Sequence, residues 1–370
     1  MIFIKIFFFL WCSIKEGLNF MNCNWKSKGD KVCSRYIRSG EVCVFHKKNK
    51  TKREKILFKH YLKKERIANF VGFLFEEDFV VKDLVDYDYN YLRFEECIFY
   101  KKADFSDFAF KKKVEVLNCR FLDQVLFSNS EFNDDLIIKK NYFNQQIIDQ
   151  KIFKHTSING QSFELIGNIN FPRLDGIVFS KESKFILRDC QYDIPNSYIG
   201  KINYTIAQIQ AERIHDTKNI GYYNYYERKY SNNTINRKDF RNYSEYLLSK
   251  ILNYIAREFM GYGEHLSKLF FYIISIISVF AILYMLIGVT NSSGDIVRFE
   301  FENMKSYSVL DVLKLYIEFW YFSLVTFSTV GFGDMAINGI IGKILVCVEV
   351  FIGITVQSTW AALIIKRMFR

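Results

Sequence analysis

The chain has 370 residues, half of them hydrophobic, and a formal net charge of +11 from 51 Lys or Arg and 40 Asp or Glu. With only two prolines, this composition excludes a disordered or low-complexity chain, and the length allows two or three domains. The five histidines lack a partner Ser, Cys or carboxylate at motif spacing, and no Gly-rich phosphate or dinucleotide motif occurs, so we do not expect an enzyme.

Residues 1–20 are a candidate extension that precedes the first domain. Their apolar start, Met1–Leu10, is too short to span a membrane, and no small-residue cleavage site of a signal peptide follows it. Met21 is a candidate for the true start, which would leave residues 1–20 as a mispredicted extension.

Residues 21–50 hold a Cys/His set with the spacing C-x9-C-x9-C-x2-H: Cys23, Cys33, Cys43 and His46. Three thiolates and one imidazole suit a tetrahedral Zn²⁺ ion, and the closing Cys-x2-His pair places two ligands in one turn. The first two gaps are wider than in a typical zinc knuckle, so unligated thiols are the alternative.

Residues 51–91 are predicted to be a basic linker or helical region. Ten Lys or Arg lie between Lys47 and Arg66, interleaved with apolar residues. We favour a solvated helix, and the alternative is an amphipathic helix that lies on an anionic inner leaflet.

Large apolar residues between positions 92 and 192 recur at a period that neither a helix nor a strand explains. One series alternates steps of five and six: Phe94, Phe99, Phe105, Phe110, Val116, Phe121, Phe127 and Phe132. A second series has a strict step of five: Phe143, Ile148, Phe153, Ile158 and Phe163, and Leu187 and Tyr192 continue it faintly. A small residue often lies two positions before the large one, as at Cys97, Ala103, Cys119 and Ser130.

This pattern resembles the pentapeptide-repeat family, whose fold is a right-handed, four-sided β-solenoid. The resemblance implies one large and one small inward side chain on each side, and roughly five coils over residues 92–192. A coil buries its core only against neighbouring coils, so several are needed. The alternative is an irregular α/β domain with chance spacing. We expect Cys97, Cys119 and Cys190 to be small core residues, because a cytoplasmic domain is kept reduced.

Residues 203–268 show helical spacing of Ile, Tyr and Leu and are predicted to be an α-helical connector of two or three helices. Gly261-Tyr262-Gly263-Glu264 predicts a turn directly before the next segment. The connector would couple cytoplasmic movement to the C-terminal region, or it is a passive spacer.

Residues 269–370 contain two long apolar segments, Leu269–Val289 and Ile344–Ile365. The first is uncharged and about 31 Å long as a helix, enough to cross a hydrocarbon core of roughly 30 Å. Between them, Leu313–Ser328 is too short and too polar to span, so we predict a re-entrant helix that is surrounded by protein. Two buried helices of a soluble protein are the alternative.

The segment that follows the re-entrant helix has the sequence TVGFGD: Thr329, Val330, Gly331, Phe332, Gly333 and Asp334. In this position it resembles the selectivity filter of the two-transmembrane potassium channels. The resemblance implies an all-α two-transmembrane pore module in a homotetramer, with rings of backbone carbonyls that replace the hydration shell of K⁺.

Each filter residue has an expected role. The two glycines adopt the positive φ that turns successive carbonyls toward the axis, and Thr329 adds its hydroxyl. Val330 and Phe332 point outward against the pore helices. Phe332 stands where many channels have Tyr, and Val325 stands where some have a carboxylate that bonds the filter aspartate. Asp334 therefore needs another partner, either Tyr321 or a water molecule.

Two residues of the second span are gating candidates. Gly353 lies twenty residues after Gly333, where related inner helices have a glycine hinge, and close helix packing is an equally good explanation. Glu349 is an intramembrane carboxylate. It either lines the cavity or hydrogen-bonds behind the pore helix, and we favour the second role.

Flanking charge predicts the orientation. Lys268 precedes the first span, and Lys366, Arg367 and Arg370 follow the second, so the positive-inside rule places both termini in the cytoplasm of a multi-pass protein of the cell membrane. The expected partners are membrane lipid, K⁺, further copies of the chain and an unknown cytoplasmic regulator, with no nucleic acid. The alternatives are a weakly selective cation channel and a membrane-anchored binding scaffold with a non-conducting pore.

Overall fold

The computed structural model describes residues 21–37, 40–64, 67–84, 91–144, 152–264, 266–299 and 308–368. The chain divides into two compact units, Met1–Ile235 and Asn236–Arg370. The expected extension over residues 1–20 lies outside the described residues, as does Ile148 of the apolar repeat.

The first unit is a β-solenoid whose short strands form four parallel sheets. The largest sheet contains β3 (Asn69–Val71), β6 (Leu92–Glu95), β10 (Val114–Leu117), β14 (Leu136–Lys139), β17 (Ser162–Ile166) and β19 (Lys184–Arg188). The second contains β4 (Leu74–Phe75), β7 (Ile98–Phe99), β11 (Arg120–Phe121) and β15 (Tyr142–Phe143). The third contains β5 (Phe79–Val80), β8 (Ala103–Asp104) and β12 (Val125–Leu126). The fourth contains β9 (Ala109–Phe110), β13 (Glu131–Phe132), β16 (Thr156–Ile158) and β18 (Ile177–Phe179).

The coil length explains the unusual apolar period. In the paired register, Leu92 lies beside Val114 and Val114 beside Leu136, a spacing of 22 residues. Two sides of five and two of six residues make up this length, so the alternating steps predict the coil correctly. Every strand of the largest sheet is followed by a residue with φ between 52° and 71°: Gly72, Glu96, Asn118, Lys140, Gly167 and Asp189. These left-handed corners turn the chain to the next side.

The predicted inward residues of the repeat form the solenoid core. All those that the structure describes are buried, including Cys97, Cys119 and Cys190. Phe side chains of successive coils stack face to face, with ring centroids 4.6 Å apart for Phe70 and Phe94 and 4.8 Å apart for Phe99 and Phe121. The solenoid begins at β3, earlier than the predicted start at residue 92. The short helix α2 (Val81–Leu84) follows β5 and interrupts the apolar repeat between the first coil and the next.

Both ends of the solenoid are covered. At the N-terminal end, β1 (Met21–Asn22) pairs with β2 (Tyr36–Ile37), and α1 (Lys52–Lys64) buries Phe58 and Leu62. Phe58 packs on Phe75 of the first coil, with ring centroids 5.6 Å apart. At the other end, α3 (Ser197–Arg213) and α4 (Thr217–Asn233) pack on the last coil, where Tyr223 Oη donates to Phe185 O at 3.0 Å. The predicted helical connector is therefore divided, since α3 and α4 belong to the first unit.

The second unit contains the apolar C-terminal helices. Helix α5 (Tyr243–Glu258) and a turn at Gly261–Gly263 precede α6 (Leu266–Ile287). The strands β20 (Val289–Asn291), β21 (Ile296–Val297) and β22 (Met335–Ile337) form a small antiparallel sheet that the sequence did not predict. Helix α7 (Val309–Phe327) and helix α8 (Ile340–Met368) complete the unit. Helices α6 and α8 are long and apolar enough to cross a membrane.

Candidate functional site

Helix α7 contacts α6 through the second half of its length. Its first turn is closed by a capping box, in which the Ser308 hydroxyl accepts from Leu310 N and the Asp311 carboxylate accepts from Ser308 N at 3.1 Å. Trp320 Nε1 donates to Ser278 Oγ of α6 at 3.3 Å, and the rings of Phe322 and Tyr284 meet edge to face. The aromatic residues of α7 therefore orient it on α6.

The TVGFGD segment begins at a sharp turn at the C-terminal end of α7. Thr329 N donates to Thr326 O at 3.0 Å and Val330 N donates to Val325 O at 3.1 Å, which closes the last turn. Thr329 has a φ of 60°, a left-handed conformation that glycine usually adopts at this position. The chain therefore leaves the helix axis abruptly at the first residue of the motif.

Gly331 and Gly333 adopt positive φ values of 57° and 79°, as the filter interpretation expects. Val330 and Phe332 are 55% and 68% exposed, so they are not buried against α7 of their own chain. Their packing against pore helices therefore stays a prediction, since one copy of the chain leaves both side chains uncovered. Tyr321 Oη donates to Asp334 Oδ2 at 2.9 Å, which provides the aspartate with one of the two expected partners.

Glu349 of α8 is completely buried between α6 and α7. Tyr284 Oη donates to Glu349 Oε2 at 2.6 Å, and Ser323 Oγ contacts Glu349 Oε1. Ser323 Oγ also donates to Ile277 O at 2.9 Å. One carboxyl group thus connects the three helices, and it lies behind α7 rather than on an exposed surface.

Gly353 and Gln357 hold the C-terminal end of α7 from the same side as Glu349. A Cβ atom on Gly353 would lie 2.1 Å from Phe327 O, so only glycine allows this close approach. Gln357 Nε2 donates to the same carbonyl at 2.7 Å. Gln357 was not predicted from the sequence, although its spacing of four residues from Gly353 places both on one helix face.

An ion pair and a close packing contact join the C-terminal end of α8 to the segment before α6. Lys366 Nζ lies 3.2 Å from Glu264 Oε1, which brings the last turn of α8 next to the segment before α6. Leu363 approaches Gly263 of the Gly261–Gly263 turn, because a Cβ there would lie 2.8 Å from its Cδ2. The N-terminal end of α6 therefore lies next to the C-terminal end of α8.

The predicted metal ligands of the first unit lie together. The ligand atoms of Cys23, Cys33, Cys43 and His46 all lie within 4.8 Å of one another. His46 Nδ1 lies 3.5 Å from Cys23 Sγ and 3.2 Å from Cys43 Sγ, and Cys33 Sγ lies 4.0 Å from Cys43 Sγ. No other cluster of at least three such residues occurs within the residues that the structure describes.

Three residues of this Cys/His set are buried, and Cys33 is half-buried. His46 Nε2 lies 2.9 Å from Val71 O, and its ring stacks on Trp25 with centroids 4.2 Å apart. Burial raises the pKa of Cys43 to about 12, raises that of Cys33 and lowers that of His46. A cation would offset the cost of ionising the thiols, because a metal ion binds the thiolate form.

Comparison with known proteins identifies a family for the C-terminal region. Residues 304–370 match a protein family model with the description "Ion channel". No curated protein and no solved structure matches the chain significantly. The protein therefore combines an N-terminal β-solenoid and helical segments with a C-terminal two-span ion-channel module.

Proposed function

We propose that the protein is a homotetrameric potassium channel of the cell membrane, with its selectivity filter formed by Thr329–Asp334. The observation that carries this proposal is the position of the TVGFGD segment. It follows the C-terminal end of α7, between two helices that are able to span a membrane. In four copies around an axis, its backbone carbonyls would form the rings that take the place of water around K⁺.

The electrostatics of α7 favour a cation at this place. The C-terminal end of a helix has a partial negative charge, and α7 ends at Phe327, directly before the filter. Asp334 adds a carboxylate at the other end of the segment, held by Tyr321. A cation that enters the filter would thus meet favourable charge at both ends.

The apolar surface of the second unit supports assembly into a tetramer. Val330 and Phe332 are exposed, and so is a stripe of α8 that contains Ile340, Ile344, Val348 and Phe351. The spacing of these four residues places them on one helix face. Neighbouring copies would cover both surfaces, as a pore with four filters around one axis requires.

We propose that both termini lie in the cytoplasm and that the solenoid regulates the pore. Lys366 and Arg367 in the last turn of α8 support this orientation by the positive-inside rule. Gly353 would act in gating as the contact that couples the inner helix α8 to the pore helix, since its backbone lies against Phe327 O. Movement of α8 would then reach the filter directly.

We also propose that Cys23, Cys33, Cys43 and His46 hold Zn²⁺. In a tetrahedral site with Zn–S near 2.3 Å and Zn–N near 2.0 Å, ligand atoms lie roughly 3.5–3.8 Å apart. The contacts of 3.2, 3.5 and 4.0 Å fit this arrangement. The contact of His46 Nε2 with Val71 O assigns the proton to Nε2 and leaves Nδ1 as the ligand atom.

The test is ion flux through the purified full-length protein in liposomes, with Na⁺ as the comparison ion. We expect K⁺-selective flux that Ba²⁺ blocks. Gly331→Ala should abolish it, because the filter needs a positive φ at this residue. Gly294→Ala is the matched control: Gly294 also has a positive φ, 87°, and open space around an added Cβ, but lies in the β20–β21 turn. Robust flux through Gly331→Ala would refute the filter assignment.

A weakly selective cation channel is the second candidate. Phe332 lacks the hydroxyl group that braces a filter tyrosine, and Val325 provides no carboxylate near Asp334. Reversal potentials in mixed K⁺ and Na⁺ distinguish the two. If neither ion passes, even after deletion of the first unit, the protein is better described as a membrane-anchored scaffold.

A further inference from the structure

The segment that follows the TVGFGD motif is a strand, and this strand joins the end of the motif to α6. Strand β22 begins at Met335, directly after Asp334. It pairs antiparallel with β20, so that Ile337 lies beside Val289. Strand β20 begins two residues after α6 ends at Ile287. The sheet therefore attaches the second end of the motif to the end of a membrane helix.

The apolar side chains of β22 pack between this sheet and the helices. Met335 and Ile337 are half-buried and pack on the apolar cluster that includes Tyr284 of α6 and Phe319 of α7. On the side of α8, a Cβ atom on Gly342 would lie 2.6 Å from Ile337 Cγ1. The Ile337 side chain thus lies directly against the backbone of α8, and it fixes the distance between β22 and that helix.

A hydrogen bond between side chains adds to the pairing of β22 with β20. Asn338 Nδ2 donates to Thr290 Oγ1, which joins the residue after β22 to the centre of β20. Polar pairs across neighbouring strands stabilise a sheet. Within the described residues β22 is an edge strand, because the order of the sheet is β21-β20-β22. Its position therefore depends on β20 and on the packing of Ile337.

The end of the motif at Asp334 has few other braces. Phe332 has no hydroxyl group, and Val325 has no carboxylate that would bond Asp334. Tyr321 Oη holds the carboxylate of Asp334, and the chain then enters β22. A filter selects among ions through the arrangement of its carbonyl oxygens, so a displaced end changes its selectivity.

We propose that Ile337 and Thr290 are positioning residues for the selectivity filter, which act through β22 on the end of the filter at Asp334. This inference rests on the filter function proposed for Thr329–Asp334. It goes further, because it assigns part of the ion selectivity to a sheet that lies outside the motif and outside α7.

The test is the reversal potential of the full-length protein in mixed K⁺ and Na⁺. Ile337→Ala removes the contact with α8, and Ile337→Val is the conservative variant. Ile296→Ala is the matched control: Ile296 lies in β21 of the same sheet, is 65% exposed and pairs with Thr290 on the side away from β22. Thr290→Val removes the hydroxyl acceptor of Asn338, and Thr290→Ser retains it.

We expect Ile337→Ala to lower the ratio of K⁺ to Na⁺ permeability several-fold, whereas Ile337→Val and Ile296→Ala should leave it close to the wild-type ratio. Thr290→Val should lower the ratio by a smaller factor, and Thr290→Ser should restore it. The permeability ratio is the decisive reading, because a merely structural role would reduce the amount of folded channel and leave this ratio unchanged. Each variant must elute as the wild-type protein does. If Ile337→Ala does not, the two Thr290 variants decide.

An unchanged permeability ratio in both Ile337→Ala and Thr290→Val would overturn the proposal and leave the filter assignment intact. An equal loss of selectivity in Ile296→Ala would also overturn it, because the effect would then not depend on contact with β22. A change in Ile337→Ala alone would refute the role of Thr290. A wild-type protein that does not distinguish K⁺ from Na⁺ would refute the proposed potassium selectivity, and this inference with it.

Discussion

Replacement of Glu349 tests how α8 holds α7. In Glu349→Ala, the buried Tyr284 hydroxyl loses its acceptor, whereas Ser323 keeps Ile277 O. A buried hydroxyl without a partner costs about 1–3 kcal/mol. The cavity left by the missing side chain adds to this cost, so we expect a total loss of about 2–4 kcal/mol per subunit.

Glu349→Gln is the matched control for this variant. The amide oxygen is able to accept from Tyr284, and the amide nitrogen is able to donate to Ser323 Oγ, which still donates to Ile277 O. Every buried polar atom of the network then keeps a partner, so we expect a loss of less than about 1 kcal/mol.

Tyr284→Phe reports whether the two side chains act together. In the wild-type background it removes one hydrogen bond from the buried carboxyl group and should destabilise the protein. In the Glu349→Ala background it removes the hydroxyl that has lost its acceptor, so it should be neutral or stabilising. This change of sign is the signature of a direct contact in a double-mutant cycle.

The assays are thermal unfolding of the purified full-length protein in detergent and the reversal potential in mixed K⁺ and Na⁺. Glu349→Ala should lower the unfolding midpoint and reduce selectivity, and Glu349→Gln should restore both. Equal midpoints for the Ala and Gln variants would refute the reasoning. So would an equal effect of Tyr284→Phe in both backgrounds.

Three further outcomes follow from other contacts. Gly353→Ala should cost about 1–3 kcal/mol and shift the reversal potential, because its Cβ would lie 2.1 Å from Phe327 O; an unchanged reversal potential would contradict this. Cys43→Ser, or a strong chelator, should remove one equivalent of zinc and lower the unfolding midpoint of the full-length protein; full zinc content in the variant would argue against the ligand set. Asn141→Ala should lower the unfolding midpoint by an amount that corresponds to about 2–4 kcal/mol, since Cys119 N and other buried groups lose a partner; a midpoint equal to that of the wild type would show that these bonds contribute little.

Local patterns in the sequence predicted much of the architecture. The steps of five and six predicted the inward side chains of the solenoid, because a four-sided coil repeats its burial at each side. Apolar segments of sufficient length, with no charge in the first and only Glu349 in the second, predicted α6 and α8. The spacing of the Cys/His set predicted a cluster that the structure brings within 4.8 Å. Asn118, Asn129 and Asp107, with φ near 50°, mark corners of the coil and are a further signal in the sequence that the prediction did not use.

The beginning of the solenoid and the division of the helical region were not predictable in this way. Helix α2 separates the first coil from the next and interrupts the apolar repeat. The strands from Asn69 onward were therefore not predicted to belong to the solenoid. Helices α3, α4 and α5 have similar helical spacing, but α3 and α4 close the last coil and α5 belongs to the second unit. Spacing identifies a helix and its apolar face, and it does not identify what that face meets.

The sequence by itself determined which residues are apolar on one face, which segments are able to cross a membrane and where the TVGFGD segment lies between them. These are properties of neighbouring residues, which the chain carries before it folds. Only the tertiary structure decided that Glu349, Gly353 and Gln357 meet α7, and that β22 pairs with β20 directly after the TVGFGD segment. Those contacts join residues far apart in the chain, and their energies arise when packing removes water and leaves each polar group with a partner.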